Sequence, residues 1–281
     1  MTLLNQPLPR ATWRLIRTNP ADGAWNMAVD EALMESVGMG TSQPALRLYA
    51  WDPPCLSLGY AQPVAEVDLL RLESSGWGLV RRPTGGRAIL HTDELTYSVT
   101  APLAEPRVAG SVLESYQRLS QALLLALTSL GLPVQAQSLN PGVSPGKPQN
   151  PICFEVPSAY EITVGGKKLI GSAQARRKNA VLQHGSLPLS GDISRIVQAL
   201  VYPNETDRQA AGERLLQRAT TVAAVFGREI DWETAASAFA SAFSQVLNLA
   251  WEPSELTSVE FARASELIQT TYAQPAWTGH R

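Results

Sequence analysis

Residues 81–91 read RRPTGGRAILH and place three arginines, a Pro-Thr-Gly-Gly turn and one of the chain's three histidines within eleven positions. Gly85 and Gly86 permit positive φ and let backbone N–H groups approach a ligand closely, while Arg81, Arg82 and Arg87 can offset an anion. The same residues also suit a plain strand-turn-strand with surface arginines. A second basic, glycine-rich stretch is GGKKLIGSAQARRK, residues 165–178. In an extended segment Lys167 and Lys168 face opposite sides, so one can meet a pocket while the other meets water. The small residues Gly171, Ser172 and Ala173 that follow make room for a ligand or a neighbouring backbone. Cys153, in NPICFEVPSAYE, precedes Lys168 by fifteen positions. A nearby ammonium would favour its thiolate, the form that attacks acyl carbonyls. A lone cysteine is otherwise a small buried hydrophobe, and Cys55 in PPCLSLGY is assigned to the core on that ground.

Other chemistries fail on spacing. The sequence has no G-x-S-x-G, no G-x-G-x-x-G, and GGKKL and PGKP lack the Walker pattern. It has no HExxH or Cys-x-x-Cys, so no metal site is expected. His184, in LQHGSL, reads as a strand histidine whose neighbours Gly185 and Ser186 leave a pocket role open. A formal charge of −2 argues against a general nucleic-acid binder. Two cysteines are too few for a disulfide framework. The opening MTLLNQPLPRATWRL lacks a signal-peptide pattern and no apolar run approaches the roughly 20 residues that span a bilayer, so a soluble, cytoplasmic protein is expected.

The elements that must position these residues are of mixed type. Residues 13–18 read as a strand, followed by an amphipathic helix carrying Trp25, Ala28, Val29, Ala32 and Leu33 with Asp22 as N-cap. ALRLYAW and CLSLG read as strands, and PVAEVDLLRLESSG as a helix begun by Pro63 and ended by Gly76. Strands are expected in WGLVRR, AILH and LTYSVT, then a helix from a Ser111–Glu114 capping box to Gly131. SLNPGVSPGKPQNPIC reads as a long surface loop. A hairpin follows, YEITV and KKLIGSA across Gly165–Gly166, and after a turn near RRKN comes the strand AVLQHGSLPL. Helices are expected near 193–200, 207–217, 231–248 and 257–273, the last opened by a Thr257–Glu260 capping box. The pattern predicts an α+β fold, a single domain over 1–281 with 193–281 mainly helical.

RRPTGGRAILHTDELTYSV, together with GKKLIGSAQARRKNAVLQHGSLPL, resembles the biotin/lipoate protein ligase superfamily over Trp13 to about Trp277. With its cysteine, CFEVPSAYE is similar to the cysteine-dependent octanoyltransferase branch, which moves octanoyl from acyl carrier protein to a lysine of lipoyl-carrying domains. The resemblance implies mixed β-sheets flanked by helices around an acyl tunnel, with Cys153 as acyl-accepting nucleophile and Lys168 as catalytic-site lysine. It implies substrate-binding roles for Arg81, Arg82, Thr84, Gly85, Gly86, His91, Gly171, Ser172, Ala173, His184 and Gly185, the two histidines as structural or pocket-shaping residues. The arginines are expected to meet acidic carriers, and which of them points inward is left open. The implied partners are octanoyl acyl carrier protein and a lipoyl-domain or glycine-cleavage H-type acceptor. Thioester to amide is downhill, so no ATP, cofactor or metal is expected. An ATP-dependent lipoate ligase is the alternative, weakened by the chain ending at Arg281 where such ligases carry a further domain. A non-catalytic carrier-protein sensor is a third.

Overall fold

The computed structural model describes residues 8–138 and 160–280. Cys153 and most of the Pro/Gly-rich stretch around it lie outside the described residues.

Strand β1 (Ala11–Arg17) leads into helix α1 (Gly23–Gly38), whose N-cap Asp22 accepts from the Trp25 N–H. Next come β2 (Ala45–Tyr49), β3 (Cys55–Leu58), α2 (Leu69–Ser74), β4 (Gly78–Arg81), β5 (Ile89–His91) and β6 (Glu94–Pro102). Helix α3 (Val112–Ser129) starts at the expected capping box, in which Ser111 and Glu114 satisfy each other's backbone N–H. β7 (Val134–Ser138), β8 (Tyr160–Val164), β9 (Lys167–Arg177) and β10 (Ala180–Pro188) follow. The rest comprises α4 (Glu205–Arg218), α5 (Val222–Phe226), α6 (Trp232–Leu247), β11 (Leu249–Ser254), α7 (Ser258–Leu267) and α8 (Pro275–Thr278).

The large sheet has the order β11-β1-β2-β6-β10-β9-β8-β7, and β4-β3-β5 form a small one. β1 runs parallel to both β11 and β2, whereas β2–β6, β6–β10, β10–β9, β9–β8 and β8–β7 are antiparallel. This is a mixed α+β architecture with helices on both faces. The β8–β9 hairpin turns through Gly165 (φ 56°) and Gly166 (φ 76°), a conformation that suits the right-handed twist of the paired strands.

Some elements differ from the sequence reading. The helix expected from Pro63 is a short 3₁₀ turn, Val64–Glu66, and a separate α2, because Val67 is extended and Asp68 caps a new start at the Arg71 N–H. Residues 193–199 are 3₁₀ rather than α, and α7 passes into a π-helical turn, Ile268–Tyr272. β11 lies within the helix-rich final third: left-handed Asn248 (φ 52°) ends α6 and turns the chain back alongside β1.

Alternation along the strands divides the large sheet into two kinds of face. On β6, Leu95, Tyr97, Val99 and Ala101 join the core under α3 and α6, where Phe239 and Phe243 are fully buried. Cutting either phenylalanine to alanine would cost about 3–5 kcal/mol. The alternate residues Glu94, Thr96 and Ser98 are buried too, yet they are polar. Successive side chains on a strand point to opposite faces, so these polar groups share the face covered by α1.

Candidate active site

Strand register sets the polar groups in rows. Arg47 of β2 pairs with Ser98 of β6, Ser98 with His184 of β10, and His184 with Ala173 of β9. One row over, Tyr49, Thr96, Ser186 and Gly171 pair in the same sequence. A narrow slot lies over these rows, beneath α1 and the small sheet, with Met27, Trp51 and Ile89 among its apolar walls. The structure therefore brings Arg82, His91, Gly171, Ser172, Ala173, His184 and Gly185 to one cavity from segments a hundred residues apart.

Two hydroxyl–imidazole–carboxylate chains adjoin this slot. In the first, Thr84 Oγ1 is 2.6 Å from His184 Nε2, and His184 Nδ1 is 3.1 Å from Asp30 Oδ2. Asp30 also takes hydrogen bonds from Arg47 (2.9 Å), Tyr49 (2.9 Å) and Ser98 (2.8 Å). Burial alone would push the Asp30 carboxyl up, but the His184 hydrogen bond and the Arg47 charge outweigh it and hold it below its usual value. Burial pushes His184 the other way for a base, downward, despite the opposing pull of Asp30, so the neutral ring is favoured.

In the second chain, Ser57 Oγ is 2.7 Å from His91 Nε2, and His91 Nδ1 is 2.7 Å from Glu94 Oε1. The His91 ring stacks on Trp51 at 3.9 Å, and the Trp51 Nε1–H donates to Thr96 Oγ1 (2.8 Å), which in turn donates to Glu94. Burial would raise the Glu94 carboxyl; His91 and the hydroxyls around it bring it below the ordinary range. With a carboxylate at Nδ1, the proton of a neutral His91 ring sits on Nδ1 and Nε2 is left to accept from Ser57.

The arginines do not face solvent as expected. Arg81 is 0% exposed and donates to the carbonyls of Gly59 (2.8 Å), Gln62 (2.6 Å) and Thr278 (2.6 Å), so it ties its strand to the C-terminal α8 and does not line the slot. Arg82, 3% exposed, does line it, donating to the Ser57 carbonyl (3.0 Å), to Ser57 Oγ (3.2 Å) and to the carbonyls of Gly85 and Arg87. Burial leaves guanidinium N–H groups to be satisfied by carbonyls rather than by an incoming acidic carrier. Arg87 approaches Glu66 at 3.4 Å. Of the paired glycines only Gly86 has positive φ (96°), and Gly59 packs so tightly against its carbonyl that a side chain there would not fit. Gly85 borders open space.

Lys167 is exposed and donates to the Leu216 carbonyl (2.7 Å), whereas Lys168 is 3% exposed. The two lysines thus part company as an extended segment requires. Cys55 is buried among Gly23, Gly78 and Val80, and burial raises its thiol far above the ordinary value, as befits a core residue. Among the described residues no three His, Cys, Asp or Glu side chains are grouped to hold a metal, and no helix is long and apolar enough to cross a membrane.

Sequence reading missed Asp30, Arg47, Ser57, Glu94 and Trp51. A signal existed for Asp30: it follows Asn26 by one helical turn inside the apolar AWNMAVDEALMESV, and polar groups on a buried helix stripe need a reason to be there. ELTYSVT carried a similar one, since a strand buried on both faces that still alternates with Thr and Ser points those hydroxyls at something.

A model of the lipoyl protein ligase A/B catalytic domain matches residues 22–244. The chain belongs to this family. Within it, the chain is 40% identical to octanoyltransferase LipM of Brevibacillus brevis over 273 residues, covering 96% of this chain and 99% of that protein. It is equally 40% identical to octanoyltransferase LipM of Moorella thermoacetica over 277 residues, 98% of this chain and 100% of that protein. Among solved structures, the bipartite lipoate protein ligase of Thermoplasma acidophilum superposes with a TM-score of 0.78 at 25% identity, over 96% of both chains. The family's lipoate-ligase fold thus accounts for the two sheets that frame the slot.

Proposed function

We propose that octanoyl is delivered to this chain by acyl carrier protein, held as a thioester on Cys153, and passed to the ε-amine of a lysine on a lipoyl domain or H-type protein. The octanoyl transfer itself is the chain's activity: it is an acyltransferase of lipoate biosynthesis. The single observation that carries this is the near-complete, 40% identical match to octanoyltransferases. The slot's apolar residues Met27, Trp51 and Ile89 are of the kind an acyl chain packs against, each buried methylene contributing about 0.8 kcal/mol.

In the first half-reaction the Cys153 thiolate attacks the carrier's thioester carbonyl, and the phosphopantetheine thiol leaves. In the second the acceptor amine attacks the enzyme thioester, the C–S bond breaks, and an amide remains. The Lys168 ammonium stabilises the thiolate and the developing oxyanion, and N–H groups of Gly85 and Gly86 offer further donors. Arg82, Thr84, His91, His184 and the small residues Gly171, Ser172, Ala173 and Gly185 shape the acyl site.

A second reading, ATP-dependent ligation, draws support from the likeness to a lipoate-protein ligase A bound with ATP, TM-score 0.77 at 25% identity. Incubation with octanoyl acyl carrier protein and an apo lipoyl domain, without nucleotide, separates the two. Octanoylated acceptor is the expected product. Modification that appears only with a free acid, ATP and magnesium would establish the ligase, and binding without turnover would indicate a sensor.

A further inference from the structure

Aminolysis of a thioester needs a neutral amine, whereas the acceptor lysine arrives as an ammonium. Something at the acyl-head end of the slot must take its proton. Two relays of like construction are available, and register distinguishes them. On β10, His184 and Pro188 are four residues apart, and Pro188 pairs with Glu94 of β6. β9 runs antiparallel to β10, with His184 opposite Ala173 and Ser186 opposite Gly171, so the Glu94 row lies toward the Lys168 end of β9. At about 3.4 Å per residue, the Glu94 row stands roughly 14 Å nearer that end than the His184 row. Of the two chains, the one containing Glu94 therefore has its carboxylate row nearer Lys168.

We infer that Ser57, His91 and Glu94 form the proton relay that deprotonates the acceptor lysine, an inference that rests on the transfer reading above. Ser57 and His91 both line the slot. The two links of this chain are each 2.7 Å long, and its far end is a buried carboxylate. Arg82 Nη1, 3.2 Å from Ser57 Oγ, places positive charge beside the oxygen that must pass on its proton. The acceptor ammonium gives one proton to Ser57 Oγ while the Ser57 proton moves to His91 Nε2, and Glu94 stabilises the resulting imidazolium. The freed lone pair forms the C–N bond to the acyl carbon, the C–S bond breaks, and the second nitrogen proton ends on the departing sulfur. His91 returns its proton through Ser57 to water, so one proton is released per amide formed. Ser57 touches the substrate amine and is catalytic in that sense; Glu94 is a positioning residue that fixes the tautomer.

The test compares two nucleophiles on the whole reaction, from octanoyl acyl carrier protein to product. Hydroxylamine is already neutral at pH 7 and needs no base before it attacks, so enzyme-dependent hydroxamate formation reports acyl loading and slot integrity alone. Because His91 also lines the slot, both products fall in His91→Gln, which keeps a hydrogen-bond acceptor but no basicity; octanoylation of the lipoyl-domain lysine should fall by roughly 10²–10⁴-fold more than hydroxamate formation. Ser57→Ala, a smaller change less able to disturb folding, should show the same lysine-selective loss. Equal losses with both nucleophiles, or no loss with lysine, would overturn the relay. Failure of the transfer reading looks different: the unaltered enzyme then yields neither product from the carrier thioester without nucleotide.

Discussion

Asp30 and Arg47 meet at 2.9 Å with both side chains wholly out of solvent, and the pair anchors α1 to the floor of the slot. The Arg47 guanidinium also lies over the Tyr49 ring at 3.9 Å and donates to Asn26 Oδ1 (2.7 Å), so the charge is satisfied from every side. Removing one member leaves the other buried without its counter-charge. Asp30→Asn should lower unfolding free energy by about 3–5 kcal/mol. Urea denaturation checks this, and a loss under about 1 kcal/mol would show that the pair matters little to the fold.

The same site makes stability pH-dependent in a definite direction. His184 has its folded-state value depressed below the 6.5 of a free histidine, chiefly by burial. Its contribution is fully present above pH 6.5 and is lost as pH falls from there through the depressed value, because the unfolded chain then binds a proton that the native ring refuses. Asp30 and Glu94, both held below their ordinary values, contribute above those values and lose the contribution as pH falls lower still. Thermal melts between pH 8 and 5 should show a decline starting below pH 6.5 that is reduced in His184→Gln; parallel curves would remove His184 as its source.

Gly185 is needed for space. A methyl group there would lie 2.5 Å from Ser172 Oγ and 2.7 Å from the Gly171 carbonyl oxygen and Tyr97 Cε1, forcing β10 from β9 beside the slot. Overpacking of this kind costs about 1–3 kcal/mol. Gly185→Ala should therefore lower the melting temperature and octanoyl transfer together. Unchanged melting with full activity would mean that the strands yield freely.

Much of this arrangement could be read from the residues themselves. Capping boxes at Ser111 and Thr257, the Gly165–Gly166 hairpin and the alternation of β6 and β10 are local chemistry, and local chemistry survives folding. The arginines were misread because charge in a glycine-rich turn suggests solvent, while Arg81 and Arg82 are claimed by backbone carbonyls from residues 57–62 and 278, contacts that only tertiary structure creates. The same holds for Asp30, which meets partners from β2, β6 and β10, a meeting that no single-segment pattern encodes. Glu94 bonds to His91 and Thr96 within its own segment. β11 escaped notice because six residues ending in Glu-Pro-Ser carry little periodicity, and parallel pairing with β1 rather than propensity makes them a strand.

The adjacent lysines offer a control within one turn of sequence. Lys168→Ala removes a buried ammonium, whereas Lys167→Ala removes an exposed one bonded to the Leu216 carbonyl. Enzyme acylation by octanoyl acyl carrier protein should slow by about 10²–10³-fold in Lys168→Ala, the scale of a lost oxyanion donor, and by no more than a few-fold in Lys167→Ala. Stopped-time mass measurements give both rates. Equal losses would contradict the assignment of Lys168.

The covalent route is tested most directly by intact-mass spectrometry of the protein after exposure to octanoyl acyl carrier protein with no nucleotide and no acceptor. The expected result is a single octanoyl adduct on Cys153 that hydroxylamine removes, that discharges to an added apo lipoyl domain, and that is absent from Cys153→Ala along with transfer. Octanoylation of the lipoyl domain by Cys153→Ala at the normal rate would contradict it.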